Sequence, residues 1–412
     1  MHIAAAVGTP VVALFEPTCS IRTAPHGTGH AVLTHDVSCR PSYNWRCVNS
    51  VRGMFGEYHH GQDCRIGFGA TDSSVGTPVK ILLVRPDRIG DEILCLPVAS
   101  ALRRLMPQAR IAFLSSVYAA PIFDYHPDVD EVLTVSGQET FRQLVGLFRR
   151  GFHAVVFFMP YRRLMLAAFV ARVPVRVASG YRWYSFLATH RVYQHRRDFT
   201  KHESEYNLGL LSGLELEPGP SQLPCVVVTD AERQWAHKRL HKLPPRRVIV
   251  HPGGFTARHW QGVHYWDLIH RLVREGIGVV LTGSAVEGQR FHSEAPNGSS
   301  LQNCPLDLMG QLTLRELMAV ISVSDVLVSG ATGPAHLAAA LGVPTVSIFD
   351  PRRSNLPIRW SPLGKGVVLR PEVPTCPKCI YEDCPYWDCM DRITVDQVAA
   401  SVWQMLDLQG KA

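Results

Sequence analysis

The chain has 412 residues, a formal net charge of +7 and eleven cysteines. Its length favours two domains of ordinary size plus additional material. The mild positive charge is typical of proteins that act on acidic substrates or membrane surfaces, and because the basic residues occur in short pairs we expect no nucleic-acid partner. The longest apolar stretches, 154–159 and 164–170, fall short of the roughly 18 residues of a transmembrane helix, so we predict a buried strand and a buried helix there.

The N-terminus repeats a later part of the chain. Residues 1–17 share nine identical positions, at a constant offset, with residues 335–351. The chain is therefore expected to open inside a helix-strand unit whose complete copy follows later. Because such a piece buries too little apolar surface to offset its ordering entropy, we interpret residues 1–78 as a poorly ordered remnant of a C-terminal domain. An added dimerisation or regulatory element is the alternative.

Short apolar strands alternate with amphipathic helices from Val79 onward. The first series contains strands at 79–84, 110–114, 131–135 and 154–158, and a second series starts near Arg247. This alternation predicts βαβ units and an α/β fold with two doubly wound, Rossmann-like domains that face a cleft. We place the domains at 79–243 and 244–412, with the partial repeat before them. The final helix is expected to pack back across the first domain.

The stretch 328–350 reads VSGATGPAHLAAALGVPTVSIFD and predicts strand, tight turn, helix and strand. Pro334 suits the first helical turn, and Gly342 suits the C-terminal cap. Thr332 and Gly333 then lie at a helix N-terminus, where free N–H groups favour an anion such as a diphosphate. An ordinary βαβ turn is the alternative for this stretch alone.

Two charged residues follow strands in positions that could carry chemistry. Asp91 follows the first strand and could accept a proton from a substrate hydroxyl as a general base. It could equally be an N-terminal helix cap, and on local grounds that is the commoner role. Arg258, after the strand near Val250, could neutralise a diphosphate leaving group or be a solvated loop arginine.

Several ordered motifs resemble one enzyme family. The chain reads LLVRPDRIGDEILCLPVASALRRLMPQARI, KHESEYN, HPGGFTARHW, LMGQLTLRELMAVISVSDVLVSGATGPAHLAAALGVP and CPKC…CPYWDCMDRIT. From Val79 to about Leu408 it resembles glycosyltransferase family nine, the lipopolysaccharide heptosyltransferases. The motifs are spread over about four-fifths of the chain, which makes the resemblance far more specific than a lone glycine-rich loop.

The resemblance implies a GT-B fold and inverting transfer without a catalytic metal. The first domain would bind the acceptor and the second an ADP-sugar, with Asp91 as general base and Arg258 at the donor phosphates. The donor-binding candidates are Thr332, Gly333, His336, Gly253 and Gly283. The acceptor-binding candidates are Arg88 and Gly90. Familiar heptosyltransferases carry Asp-Thr-Gly where this chain has Ala331-Thr332-Gly333, so the donor sugar could differ from heptose.

Four cysteines near the C-terminus have the spacing C-x2-C-x4-C-x4-C. They are Cys376, Cys379, Cys384 and Cys389. Four thiolates suit tetrahedral zinc or iron, and the first pair has the spacing of a metal knuckle. The second half of the motif is unusual for a zinc finger. A structural zinc or iron is one prediction for this segment, and cysteines without a metal are the other.

The sequence thus predicts an inverting glycosyltransferase that moves heptose, or a related sugar, from an ADP-sugar to the lipopolysaccharide core. Its acceptor would carry Kdo or heptose. We expect a bacterial cytoplasmic enzyme held peripherally at the inner-membrane surface by basic and apolar residues. Two alternatives stay open: an autotransporter-type protein heptosyltransferase and a non-catalytic nucleotide-sugar-binding homologue.

Overall fold

The computed structural model describes residues 12–15, 31–34, 78–254, 258–296 and 306–409. The chain forms two compact units, 1–69 and 70–412. In the first unit, strands β1 (Val12–Phe15) and β2 (Ala31–Thr34) pair in parallel. The predicted remnant at 1–78 otherwise lies outside the described residues.

The second unit contains two parallel six-stranded sheets. The first sheet has the strand order β5-β4-β3-β6-β7-β8. Its strands are β3 (Lys80–Val84), β4 (Arg110–Ser116), β5 (Glu131–Val135), β6 (Ala154–Phe157), β7 (Val175–Ser179) and β8 (His190–Val192). The central strands β3 and β6 are almost wholly apolar and buried because helices cover both faces of a parallel sheet.

Short helices connect the strands of the first sheet. They are α1 (Ile89–Ile93), α2 (Leu96–Leu105), α3 (Phe141–Phe148), α4 (Arg162–Val170) and α5 (Glu203–Leu208). Helix α3 begins with a capping box between Thr140 and Gln143, which satisfies free N–H groups at its first turn. Helix α6 (Asp230–Arg239) has the same device and packs against a helix of the second sheet.

The second sheet repeats the doubly wound design with the order β11-β10-β9-β12-β13-β14. Its strands are β9 (Arg247–His251), β10 (Gly278–Leu281), β11 (Leu306–Asp307), β12 (Val326–Gly330), β13 (Thr345–Ile348) and β14 (Gly366–Leu369). Its helices are α7 (Gly262–Arg274), α8 (Ala285–Ser293), α9 (Leu314–Ser322), α10 (Gly333–Ala340), α11 (Pro357–Trp360) and α12 (Val395–Gln409).

Two elements differ from their predictions. Helix α12 packs on α7 and joins the apolar core of the second sheet through Val398, Val402 and Leu406, rather than crossing the first domain. Helix α4 was predicted to be buried, but only one face of it is. Its outward face exposes Leu166, Phe169 and Val170.

Across the described residues, none of the helices combines the length and the hydropathy that a bilayer-spanning segment requires.

Candidate functional site

A cavity of about 550 Å³ lies where carboxyl ends of strands from both sheets meet. Ligands of open α/β sheets bind at this edge because the connecting loops diverge there. The loops that line it follow β3, β10, β12 and β13. The first three loops contribute residues 88–91, 282–284 and 331–334, respectively, and the loop after β13 contributes Arg352, Ser354 and Asn355. The cavity therefore gathers seven of the nine predicted catalytic and substrate-binding residues: Arg88, Gly90, Asp91, Gly283, Thr332, Gly333 and His336.

The domains of the first and second sheets are in direct contact at two glycines in this cavity. A Cβ atom added to Gly90 would lie 3.3 Å from the Cα atom of Gly333 and 2.8 Å from the Cδ2 atom of His336. A Cβ atom added to Gly333 would lie 3.3 Å from the backbone nitrogen of Gly90. Side chains at these positions would push the start of α1 away from the start of α10. The glycines therefore allow the two predicted substrate loops to adjoin.

Asp91 lies in the first turn of α1 and is held by a buried arginine. Arg85, which is 3% exposed, donates a hydrogen bond to Oδ1 of Asp91 through its Nη2 group and lies 3.4 Å from a carboxylate oxygen of Asp87. Burial raises the pKa of Asp91 above its ordinary value, although the Arg85 charge opposes the rise. A helix N-terminus favours the ionised form of a carboxylate, but burial outweighs that effect on the pKa of Asp91. A raised pKa brings a general base closer to the pH at which it works.

A buried glutamate connects Arg85 to the domain that contains the second sheet. Glu203, in the first turn of α5, is 1% exposed and lies 3.7 Å from Nη1 of Arg85. It also pairs with Arg196 and accepts a 3.0 Å hydrogen bond from Nε of Arg359 in α11. One carboxylate thus forms ion pairs with three arginines, of which Arg359 belongs to the domain of the second sheet. Glu203 belongs to the KHESEYN motif, but no role for it was predicted from the sequence.

Glu92 holds the loop that carries Asp91. Its side chain is fully buried and accepts hydrogen bonds from the backbone N–H groups of Asp87 and Ser116, each at 3.0 Å. The hydroxyl of Ser115 also donates to it. Burial raises the pKa of Glu92 to about 7, even though these hydrogen bonds lower it. The carboxyl group of Glu92 therefore fixes the β3–α1 loop against β4.

Helix α10 directs its N-terminus into the cavity. Thr332 is the N-cap residue, and Gly333 and Pro334 form the first turn. No side chain caps this helix among the described residues, so its first N–H groups remain available to an anionic ligand. The predicted anion site at this turn is thus compatible with the backbone geometry.

His336 lies one turn into α10 and is uncharged at neutral pH. Burial, together with a smaller effect of nearby His202, lowers the pKa of His336 to about 3. Its Nδ1 atom is buried without a hydrogen-bond partner among the described residues, although the side chain lines the cavity. His336 can therefore offer a ligand a neutral hydrogen bond, but not a positive charge.

The structure adds cavity residues that the sequence did not predict. Arg352, in the loop that follows β13, lines the cavity and forms a 2.6 Å ion pair with the buried Asp350. The side-chain nitrogen of Asn355 is buried there without a hydrogen-bond partner in the described part of the chain. Glu287 forms a capping box with Ser284, the N-cap residue of α8, and accepts a 3.0 Å hydrogen bond from the backbone N–H of Gly254. The position of Arg352 in the loop after a strand was the signal that could have revealed it.

Arg258 and Gly253 line a neighbouring cavity of about 590 Å³, which shares Gly254 and Glu287 with the first. The guanidinium of Arg258 lies over the Tyr381 ring, 5.3 Å from its centre. The structure therefore places these two predicted residues beside the cavity that contains Asp91, rather than among its lining residues.

The four C-terminal cysteines line one small cavity of about 30 Å³. Among the described residues, however, no group of three or more His, Cys, Asp or Glu side chains has an arrangement that could hold a metal ion. Cys389 is 5% exposed and packs into the apolar core with Met390. The geometry does not support the predicted metal site.

Known proteins are similar to this chain over most of its length. Lipopolysaccharide heptosyltransferase 2 of Escherichia coli is 24% identical over 291 residues, which cover 66% of this chain and 83% of that protein. A Haemophilus influenzae protein described only as a glycosyltransferase is 26% identical over 300 residues, covering 69% and 86%.

A solved structure has a similar fold. The structure of E. coli ADP-heptose lipopolysaccharide heptosyltransferase II has a TM-score of 0.68 to this chain, with 22% identity, and the match covers 81% of this chain and all of that one. The sequence profile of glycosyltransferase family 9 (heptosyltransferase) matches residues 1–51 and 156–385, more than half of the chain. This protein therefore belongs to glycosyltransferase family 9, the heptosyltransferase family, and is a glycosyltransferase.

Proposed function

We propose that this protein is an inverting GT-B glycosyltransferase that moves a heptose, or a related sugar, from an ADP-sugar to the lipopolysaccharide core. The observation that supports it most is the shared cavity, in which Asp91 and the N-terminus of α10 meet through Gly90 and Gly333. Transfer of a sugar from a diphosphate to a hydroxyl requires a base for the hydroxyl and a site for the diphosphate. The cavity has a carboxylate on one side and an anion-binding helix end on the other.

On the acceptor side, residues 79–243 form the proposed acceptor domain and Asp91 is the proposed general base. Its carboxylate would take the proton of the acceptor hydroxyl as that oxygen attacks the anomeric carbon of the donor sugar from the face opposite the diphosphate. Arg85 holds the carboxylate in place from behind. Arg88 and Gly90 line the same part of the cavity and are the proposed contacts to the acceptor.

On the donor side, residues 244–412 form the proposed donor domain. The diphosphate gains negative charge as its bond to the sugar breaks, and preorganised N–H groups and cations would stabilise that charge. We assign this role to the first N–H groups of α10, at Thr332 and Gly333, and to Arg352. His336 would donate a neutral hydrogen bond. Gly253, Gly283 and Arg258 are proposed to contact the remainder of the donor.

The experiment measures ADP release from ADP-heptose and from other nucleotide-sugars, with a truncated lipopolysaccharide core as acceptor and an Asp91→Asn control. The expected result is acceptor-dependent release that falls by about 10²- to 10⁴-fold in the variant, the range for loss of general base catalysis. Turnover with a different sugar alone would make Ala331, which lines the cavity, the specificity residue. Tight ADP binding without turnover would overturn the proposal in favour of a non-catalytic homologue.

We further propose that transfer needs no catalytic metal and occurs at the cytoplasmic face of the inner membrane. Activity that survives EDTA would support the first point. Elemental analysis of the same preparation tests the zinc or iron site that the spacing of Cys376 and Cys379 predicts. One metal equivalent per chain would support it.

A further inference from the structure

The arginines of the chain are concentrated in one segment of the first sheet domain. Residues 140–197 contain eleven arginines and no aspartate, glutamate or lysine, whereas the whole chain has a net charge of +7. The rest of the chain is therefore net negative. Nine of these arginines are exposed: Arg142, Arg149, Arg150, Arg162, Arg163, Arg172, Arg182, Arg191 and Arg197.

The same segment exposes large apolar side chains. Helix α4 shows Leu166, Phe169 and Val170 on its outward face, with exposed fractions of 40 to 46%. The chain after β7 exposes Tyr181, Trp183 and Phe186, of which Trp183 is 75% exposed, and Tyr193 follows β8. We name these seven side chains, together with Arg162, Arg163, Arg172, Arg182 and Arg191, the arginine–aromatic face.

The elements of this face are joined to one another. The 3₁₀ turn Ser185–Leu187 packs against α4, and the Tyr184 hydroxyl donates a hydrogen bond to the carbonyl of Pro160, just before that helix. The Arg176 guanidinium lies over the Phe169 ring, 5.4 Å from its centre. Tyr181 and Tyr193 meet edge to face at 5.4 Å. The exposed residues therefore belong to one continuous surface at the β6–β8 end of the sheet.

We propose that the arginine–aromatic face rests on an anionic lipid bilayer. Exposed arginines attract anionic headgroups, and Trp and Tyr side chains favour the interface between headgroups and acyl chains. Exposed arginines and aromatic rings also bind nucleic acids. Aliphatic side chains such as Leu166 and Val170 do not stack on bases, however, and are stabilised more by contact with acyl chains. The composition of the face thus favours lipid over RNA.

The face also adjoins the acceptor loop. Strands β3 and β7 are parallel members of one sheet, so the Asp91 loop and the Tyr181–Trp183 segment leave the sheet at the same edge. Tyr161, at the start of α4, donates a 3.1 Å hydrogen bond to a carboxylate oxygen of Asp87. A protein seated on this face would hold the Asp91 loop near the bilayer, within reach of a lipid-anchored acceptor. This last step rests on the proposed function.

The test measures sedimentation of the full chain with vesicles of phosphatidylcholine alone or mixed with phosphatidylglycerol. We expect binding only to the mixed vesicles, reduced about a hundredfold by the triple substitution Arg162→Gln, Arg182→Gln and Arg191→Gln, since each interfacial arginine contributes about fivefold. Trp183→Ser should also weaken binding. The matched controls are Arg233→Gln, Lys238→Gln and Lys242→Gln for charge and Leu223→Ser for apolar exposure, and they should bind like the parent chain.

Transfer assays separate this inference from the proposed function. The triple variant should retain transfer to a soluble, delipidated acceptor and lose transfer to an acceptor embedded in vesicles. The inference would be overturned if the chain did not bind the mixed vesicles, or if the control variants lost as much vesicle binding as the triple variant. It would also be overturned if the chain bound RNA in place of vesicles with the same dependence on these arginines. Vesicle binding without transfer to either acceptor would instead overturn the proposed function alone.

Discussion

Glu203 and Arg359 form a buried ion pair between the two halves of the molecule, with 2.9 Å between a carboxylate oxygen and Nη2 of the arginine. The same carboxylate serves Arg85, which in turn holds Asp91. Glu203, in the domain of the first sheet, is therefore linked through Arg85 to the proposed base. It is also linked through Arg359 to α11, the helix that ends at Trp360 in the cavity wall.

Replacing Glu203 by glutamine should destabilise the protein strongly. The substitution removes the counter-charge of Arg196 and Arg359, while Arg85 keeps Asp91 and Asp87, and removing one partner of a buried ion pair costs about 3–5 kcal/mol. The free energy of unfolding from urea denaturation would measure this loss. Glu217→Gln, which changes an exposed carboxylate, is the matched control and should be neutral. Equal stability of the two variants would show that the cluster contributes little.

Removing the charge of Arg85 should shift the pH dependence of transfer. Burial raises the pKa of Asp91, and the positive charge of Arg85 partly offsets this, so Arg85→Gln should raise the pKa further. The acidic limb of kcat/KM should move to higher pH by about one to three units, the usual effect of one adjacent opposite charge. Arg85→Lys, which keeps the charge, should move it much less. An unchanged limb in the glutamine variant would argue against Asp91 as the base.

Glu92 should make stability depend on pH in the neutral range. Its pKa is about 7 in the folded protein, above the ordinary value of 4.5, so the folded state binds this proton more tightly than the unfolded chain does. The resulting stabilisation is fully present below about pH 4.5 and is lost as the pH rises through 7. At 1.36 kcal/mol per pKa unit, it amounts to about 3 kcal/mol in the free energy of unfolding.

Glu92→Gln tests this effect because glutamine resembles the protonated side chain and does not titrate. Thermal unfolding of both proteins between pH 5 and 8 should show the variant gaining Tm relative to the parent as the pH rises. Parallel curves would mean that Glu92 has an ordinary pKa in the folded protein.

The sequence predicted the parallel sheets because buried strands such as β3 and β12 are continuous apolar runs between turns, a local pattern. It also predicted that Asp91 and Thr332 would each lie in a turn at the carboxyl end of a strand. It did not predict Glu203 as a link, because the partners Arg85, Arg196 and Arg359 come from three separate parts of the chain. The sequence also could not show that Arg258 lines the neighbouring cavity, because its direction depends on packing beside Tyr381, which no local pattern encodes.

The contact between Gly90 and Gly333 should not tolerate a side chain. Gly90→Ala would place its Cβ atom 2.8 Å from the Cδ2 atom of His336, a ring that is buried and cannot easily yield. We expect a loss of about 1–3 kcal/mol in the free energy of unfolding, as for other overpacked sites, together with a lower kcat because the two substrate loops separate. Gly146→Ala is the matched control: it lies within α3 with no atom within 4 Å of the new Cβ, and should stabilise the helix by up to about 1 kcal/mol. Comparable activity and stability of the two variants would mean that the loops can adjust without the glycine contact.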